Sequence, residues 1–346
     1  MAALRGTPVL HTLTSHAREA AETVYAARLR PPADASRLAR FAYGLGLPLG
    51  VAGAVLRDPA ARRRYLRICA TQAAVVLGAG LLLAVSLHDV AWSSGYVRST
   101  ALGELWLELS ADEILASLCG ALYAVEWVVL ALSYEHHDAI SRDAALLTGA
   151  PPEDPPRTPR VRVDPRWITK RVRRYLRGWI VFAAGLPALF LLTFLPIVGR
   201  YLYAVATSLW ATYWLAVLVT AKSAEAWREE HTAGPPWFLR RWEHLTARIP
   251  GFRWWLPRLY GRVWRRSTTQ IFSPAARFER SPWELAGLAL ARVLGGIPGF
   301  YFFVRPFMPV AAAHVLVAQN AGERAEAAST SAAPAHAGPA APRAAA

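Results

Sequence analysis

Residues 178–199 read GWIVFAAGLPALFLLTFLPIVG, Arg200 follows, and residues 201–221 read YLYAVATSLWATYWLAVLVTA. The two uncharged runs hold 22 and 21 residues. At about 1.5 Å of rise per residue each makes a helix of roughly 30 Å, the thickness of a bilayer's hydrocarbon core. Two such runs back to back do not fit a soluble domain. Pro196-Ile197-Val198-Gly199 and Arg200 mark a tight turn between them. The stretch predicts a transmembrane helical hairpin with its turn at one membrane face and both ends at the other.

The rest of the composition agrees. The chain is 54% hydrophobic yet carries a net charge of +15, which fits loops facing an anionic leaflet better than a nucleic-acid binder. Only Lys170 and Lys222 are lysines; every other basic residue is an arginine. With the Ala and Pro bias, this points to a GC-rich bacterial genome. Cys69 and Cys119 both lie in apolar runs, so free buried thiols are expected and a disulfide is not. Residues 1–30 lack an unbroken apolar core, so no secretory signal is expected.

Taken in order, residues 1–40 predict a basic cytoplasmic segment with a short helix near Ser15 to Leu29. Phe41 to Leu56 is uncharged for 16 residues, contains four glycines and Pro48, and has arginines on both flanks. Those features predict a half-inserted or interfacial helix. Spans follow at 68–87, 114–133, 178–199 and 201–221, with a Pro-rich linker from Pro151 to Pro159. Basic residues number eleven before the first span and one after it, then ten, one and twelve after the others. That alternation is the positive-inside pattern and predicts cytoplasmic N- and C-termini.

Residues 222–282 interleave arginines with Trp237, Trp242, Trp254, Trp255 and Trp264. Phe238, Trp242, Leu245 and Ile249 recur at helical spacing, predicting a short amphipathic helix on the membrane and interfacial, lipid-binding tryptophans. Basic and aromatic residues in alternation also suit nucleic acid, but the flanking spans already hold this stretch at the bilayer. Leu285 to Val304 is apolar except for Arg292, and Phe307 to Gln319 adds only 13 residues after Arg305-Pro306. These unequal arms predict a re-entrant helical hairpin, with a fifth full span as the rival. Residues 320–346, mostly Ala, Pro and Ser, predict a disordered tail. The expected fold is an all-α integral membrane protein: four transmembrane helices, a half-inserted N-terminal helix and a C-terminal re-entrant pair within a 41–319 membrane domain.

Several short pieces carry a resemblance. Phe41-Ala42-Tyr43-Gly44, Pro59-Ala60-Ala61-Arg62-Arg63, Leu195-Pro196-Ile197-Val198-Gly199, Ala286-Gly287-Leu288, Ile297-Pro298 and Arg305-Pro306 occur in that order. Together they resemble the CysZ sulfate-permease and etoposide-induced membrane protein family across residues 40 to 318. The resemblance implies a bacterial inner-membrane protein, and the permeases of that family carry sulfate into the cell. Those permeases hold sulfate at a Gly-Leu-Arg motif before the first span. Here the matching residues are Ala60-Ala61-Arg62: the guanidinium is kept and the glycine is lost.

Four charged residues are candidates for a pathway or anion site. Arg62 belongs to a run of three arginines, which is more often an interface anchor. Glu126 is the only acid inside an expected span, where an ionisable group is costly and functional by default. Its plainer role is pairing with Arg67 or Arg292, or staying a protonated carboxyl. Arg292 sits inside the re-entrant segment and serves an anion or an ion pair equally well. Arg305 beside Pro306 is as easily an interface anchor. Glu135-His136-His137-Asp138 looks like a metal set, but adjacent histidines point to different sides of a helix and no second ligand set completes it. His314 suits packing better than ligation. No metal or cofactor is expected, and with no phosphate loop, nucleophile elbow or HExxH motif an enzyme is not expected either. The leading expectation is passage of sulfate or another small anion. The alternative is a non-transport protein that organises anionic lipid or an envelope complex through its basic face. Homo-oligomerisation stays open.

Overall fold

The computed structural model describes residues 29, 36–93, 111–228 and 233–331. It is 83% helix, with no strand among the described residues. In chain order the helices are α1 (Arg37–Arg57), α2 (Pro59–Ser93), α3 (Ala111–Thr148), α4 (Pro165–Phe190), α5 (Gly199–Thr220) and α6 (Trp237–Arg248). They continue with α7 (Trp255–Thr268), α8 (Phe272–Arg280), α9 (Pro282–Leu294), α10 (Tyr301–Val304) and α11 (Phe307–Ser331). Five segments are long and apolar enough to cross a membrane: Arg37–Arg57, Leu118–Thr148, Pro165–Phe194, Gly199–Thr220 and Tyr301–Ala325. The chain therefore has the helices of a multi-pass membrane protein. Two of the five fall where the sequence predicts half-inserted elements. The expected first span, 68–87, lies inside the 35-residue α2. The expected helix near residue 15 and the segment around Arg98 lie outside the described residues.

The central hairpin is α4 and α5. A 3₁₀ turn over Leu191–Phe194 ends α4, and Ile197 takes a left-handed backbone at φ +66° before Gly199 opens α5. That conformation is strained for a β-branched residue. Trp210 ties the two helices: its indole N–H donates to the Phe182 carbonyl at 2.9 Å.

The helices run on past the expected spans. Between the spans expected at 114–133 and 178–199, α3 runs on to Thr148 and α4 begins at Pro165. Hydropathy ends a span at the first charges, whereas backbone hydrogen bonding carries the helix past them. Only residues 149–164 connect the two.

α1 and α9 approach backbone to backbone. A Cβ on Gly44 would lie 1.8 Å from the Glu284 carbonyl oxygen, and one on Gly287 would lie 2.1 Å from that of Phe41. Such contacts between small residues are how helices associate without a hydrophobic driving force. Arg40 Nε donates to Glu284 Oε1 at 2.5 Å across the same seam.

The tryptophan-rich segment forms a second core. Trp242 and Trp264 are buried with Phe238 against Trp210 and Trp214 of the hairpin. Phe238 stacks on Trp264 with centroids 5.0 Å apart. This corrects the expectation that all five tryptophans are interfacial: Trp242 and Trp264 are occupied by protein, while Trp237, Trp254 and Trp255 stay exposed. Helix α11 also continues over 320–331, where composition predicts disorder. Asn320 and Glu323 are held there, Asn320 Oδ1 accepting from Arg277 at 2.5 Å and Glu323 from Arg280 at 2.8 Å.

Candidate functional site

The site forms at the open end of the α4–α5 hairpin, away from Arg200. Asp164 caps α4, its Oδ1 accepting the Arg166 N–H at 2.9 Å, with Pro165 in the first turn where no N–H is required. The Tyr134 hydroxyl donates to Asp164 Oδ2 at 3.0 Å, and its ring stacks on Trp167 with centroids 4.9 Å apart. Glu135 of α3 accepts the Arg160 N–H at 2.9 Å and pairs with the Arg162 guanidinium at 2.7 Å. These bonds strap the connection to α3 and fix the first turns of α4 against it.

From that start, Arg171, Arg174, Gly178 and Phe182 share one face of α4 at spacings of three and four. On α5, Ala211, Trp214, Leu215 and Leu218 form the matching stripe, and Lys222 follows just past the helix end. With Arg292 of α9, these residues line a cavity of about 360 Å³. A second cavity, of about 270 Å³, shares Arg171, Arg174 and Lys222, and adds Lys170, Arg305, Asp138, Glu153 and Asp154. Three cations thus form a wall common to both.

Five of the cations here, Arg171, Arg174, Lys222, Arg292 and Arg305, form no ion pair among the described residues. Arg171 donates instead to the hydroxyls of Tyr175 at 3.2 Å and Tyr301 at 3.3 Å, and lies over the rings of Trp167 and Tyr175. Arg171 Nε, Arg292 Nη1 and Arg305 Nη1 are buried without a hydrogen-bond partner among the described residues. Two unit charges ~6 Å apart at an effective dielectric of ~20 repel by roughly 3 kcal/mol, so a cluster of this kind is costly unless an anion joins it. Lys222 registers that cost: burial, and then the charges of Arg292, Arg171, Arg305 and Arg174, hold its ammonium well below the usual lysine range. In the second cavity, burial raises the carboxyls of Glu153 and Asp154, and Arg305 partly offsets this at Asp154. Ser223 Oγ donates to Glu153 at 2.5 Å.

No known family, curated protein or solved structure matches this chain. The site must be read from its own geometry.

Of the four residues singled out from sequence, the structure brings Arg292 and Arg305 to Lys222 from different sides. Glu126 is 6% exposed and lines neither cavity. It forms no ion pair with Arg67 or Arg292. Arg62 is exposed in the first turn of α2, after Asp58, and also lines neither cavity. His137 bonds Gln72 Oε1 at 2.8 Å and lies over Phe302, while His314 meets Thr148 Oγ1 at 2.9 Å. Sequence reasoning missed Arg171, Arg174 and Lys222 as a group. The available signal was the continuation of the apolar stripe of α4 backwards, at helical spacing, into two arginines.

Proposed function

We propose that this is a bacterial inner-membrane protein that binds a small oxyanion, sulfate among the candidates, and passes it between the two cavities. One observation carries the reading: Arg171, Arg174 and Lys222 line both cavities, Arg292 joins them in one and Arg305 in the other, and none of the five forms an ion pair among the described residues. Arginine suits the ligand, since its planar fork of donors meets an oxyanion bidentately. No covalent step and no cofactor are part of the reading. The resemblance to CysZ-type permeases points to the same class of ligand, although Arg62, the retained residue of their sulfate motif, stands outside the cluster.

In this topology the N-terminus and both basic segments are cytoplasmic, which puts the cationic wall near the cytoplasmic face. With 13 residues, α9 reaches only about 20 Å, so α9 and the arm returning from Tyr301 are read as a re-entrant pair. α1, packed on α9, is read as half-inserted beside it.

The test is binding of labelled sulfate to the purified protein, followed by flux in proteoliposomes. Arg171→Gln and Arg292→Gln are each expected to weaken binding at least tenfold, about 1.4 kcal/mol. Arg62→Gln is expected to change it less than twofold. Equal binding by all three variants and the unmodified protein would remove the anion site.

A further inference from the structure

The larger cavity is charged only at one end. Arg171, Arg174, Lys222 and Arg292 gather there, and among the described residues no carboxylate lines any part of it. Away from the cations the walls are apolar, built by Trp179, Phe182, Ala211, Trp214 and Leu218. From Arg174 to Phe182 the groove follows α4 for eight residues, about 12 Å. A bare oxyanion would occupy the charged end alone.

The groove also opens sideways. Trp179 and Ala211 on its rim are exposed, and only 11% of the α4 span is buried inside the protein. In a bilayer that face of the hairpin meets lipid chains, and the cations lie at the helix ends, where headgroups are. Charge, shape and position therefore select one occupant. Basic pockets between transmembrane helices at a membrane face hold anionic headgroups in this way.

We infer that the groove between α4 and α5 is a site for an anionic phospholipid, its phosphate among Arg171, Arg174, Lys222 and Arg292 and one acyl chain along Trp179, Phe182 and Leu218. The inference rests on the reading of the cationic wall as an anion site and names a second ligand for it.

Native mass spectrometry of the full chain in detergent, with phosphatidylglycerol or phosphatidylcholine added at equal concentration, tests it. Bound phosphatidylglycerol is expected to exceed phosphatidylcholine at least tenfold. The preference should fall to under twofold in Arg174→Gln/Arg292→Gln. Ala211→Trp, at an exposed rim position, should lower phosphatidylglycerol occupancy at least fivefold by filling the groove. Circular dichroism melts of each variant separate loss of binding from loss of fold, and Arg200→Gln at the far turn is the control for removing a surface charge. Equal retention of the two lipids, or a preference that survives both variants, would overturn the lipid site. If labelled sulfate still binds the unmodified protein in an Arg292-dependent manner, the anion site stands without it; if sulfate binding is also absent, both readings fall.

Discussion

Lys222 is the residue on which the site's chemistry turns. Burial, and then the charges of Arg292 of α9, Arg171 and Arg174 of α4 and Arg305 before α11, hold its ammonium well below the usual lysine range. The unfolded chain keeps that proton up to about pH 10.4, so it binds more protons than the folded chain between the two values. Stability from this group should therefore rise with pH across that window. An anion reverses the balance by favouring the charged ammonium, so binding should take up a proton and weaken as pH rises. Calorimetry above about pH 8, in buffers of different ionisation heat, keeps Asp138, Glu153 and Asp154 out of the measurement. Proton uptake is expected, and Lys222→Met should abolish it; affinity that is flat with pH would show Lys222 charged throughout. Ile197 makes a second prediction at this scale. It is 95% exposed and held at φ +66°, so Ile197→Gly removes strain and little packing. A gain of about 1 kcal/mol is expected in thermal or denaturant unfolding. Sequence made Arg292 and Arg305 visible because each interrupts an apolar run. Arg171 and Arg174 stayed hidden among ten basic residues, where composition does not tell an inward arginine from a solvated one.

Among the elements, the α1–α9 seam is the tightest contact between backbones. Gly44→Ala would drive a methyl into the Glu284 carbonyl, so the helices must separate and the Arg40–Glu284 pair must stretch. A loss on the order of 2 kcal/mol is expected. Gly46, two residues on, has nothing within 4 Å of its would-be Cβ. Gly46→Ala should be neutral or stabilise by up to about 1 kcal/mol, through helix propensity. Similar melts for the two variants in detergent would mean that the seam is loose. The helix boundaries show what was legible. Asp164-Pro165 is a start signal in plain view, a capping carboxylate followed by proline, and it places the beginning of α4 thirteen residues before the uncharged run. Hydropathy alone overlooks it, because hydropathy reports the solvent around a helix rather than where its hydrogen bonds start.

For the whole molecule, the positive-inside pattern predicts which segments share a side of the membrane. Single cysteines at Arg98 and Pro155, in a background without Cys69 and Cys119, should react with impermeant reagent from opposite sides of the membrane. Labelling of both from one side would invert half of the topology. The all-helical, multi-pass character was readable from the length of the apolar runs. The second core was not. Trp242 and Trp264 are indistinguishable in sequence from Trp254 and Trp255, yet the first two are buried against the hairpin and the others are 70% and 71% exposed. Burial there is decided by residues some thirty to fifty positions away, Trp210 and Trp214, which no local pattern reports.

A wall with two faces has one charge to offer. An occupant arriving from the groove neutralises Arg171, Arg174 and Lys222 for the chamber behind them, and the reverse holds for an occupant of the chamber. Lipid and inorganic anion would then act as mutual antagonists. The acidity of the surrounding leaflet would become a set-point for the protein, tuned by the cell's membrane composition rather than by any separate regulatory domain.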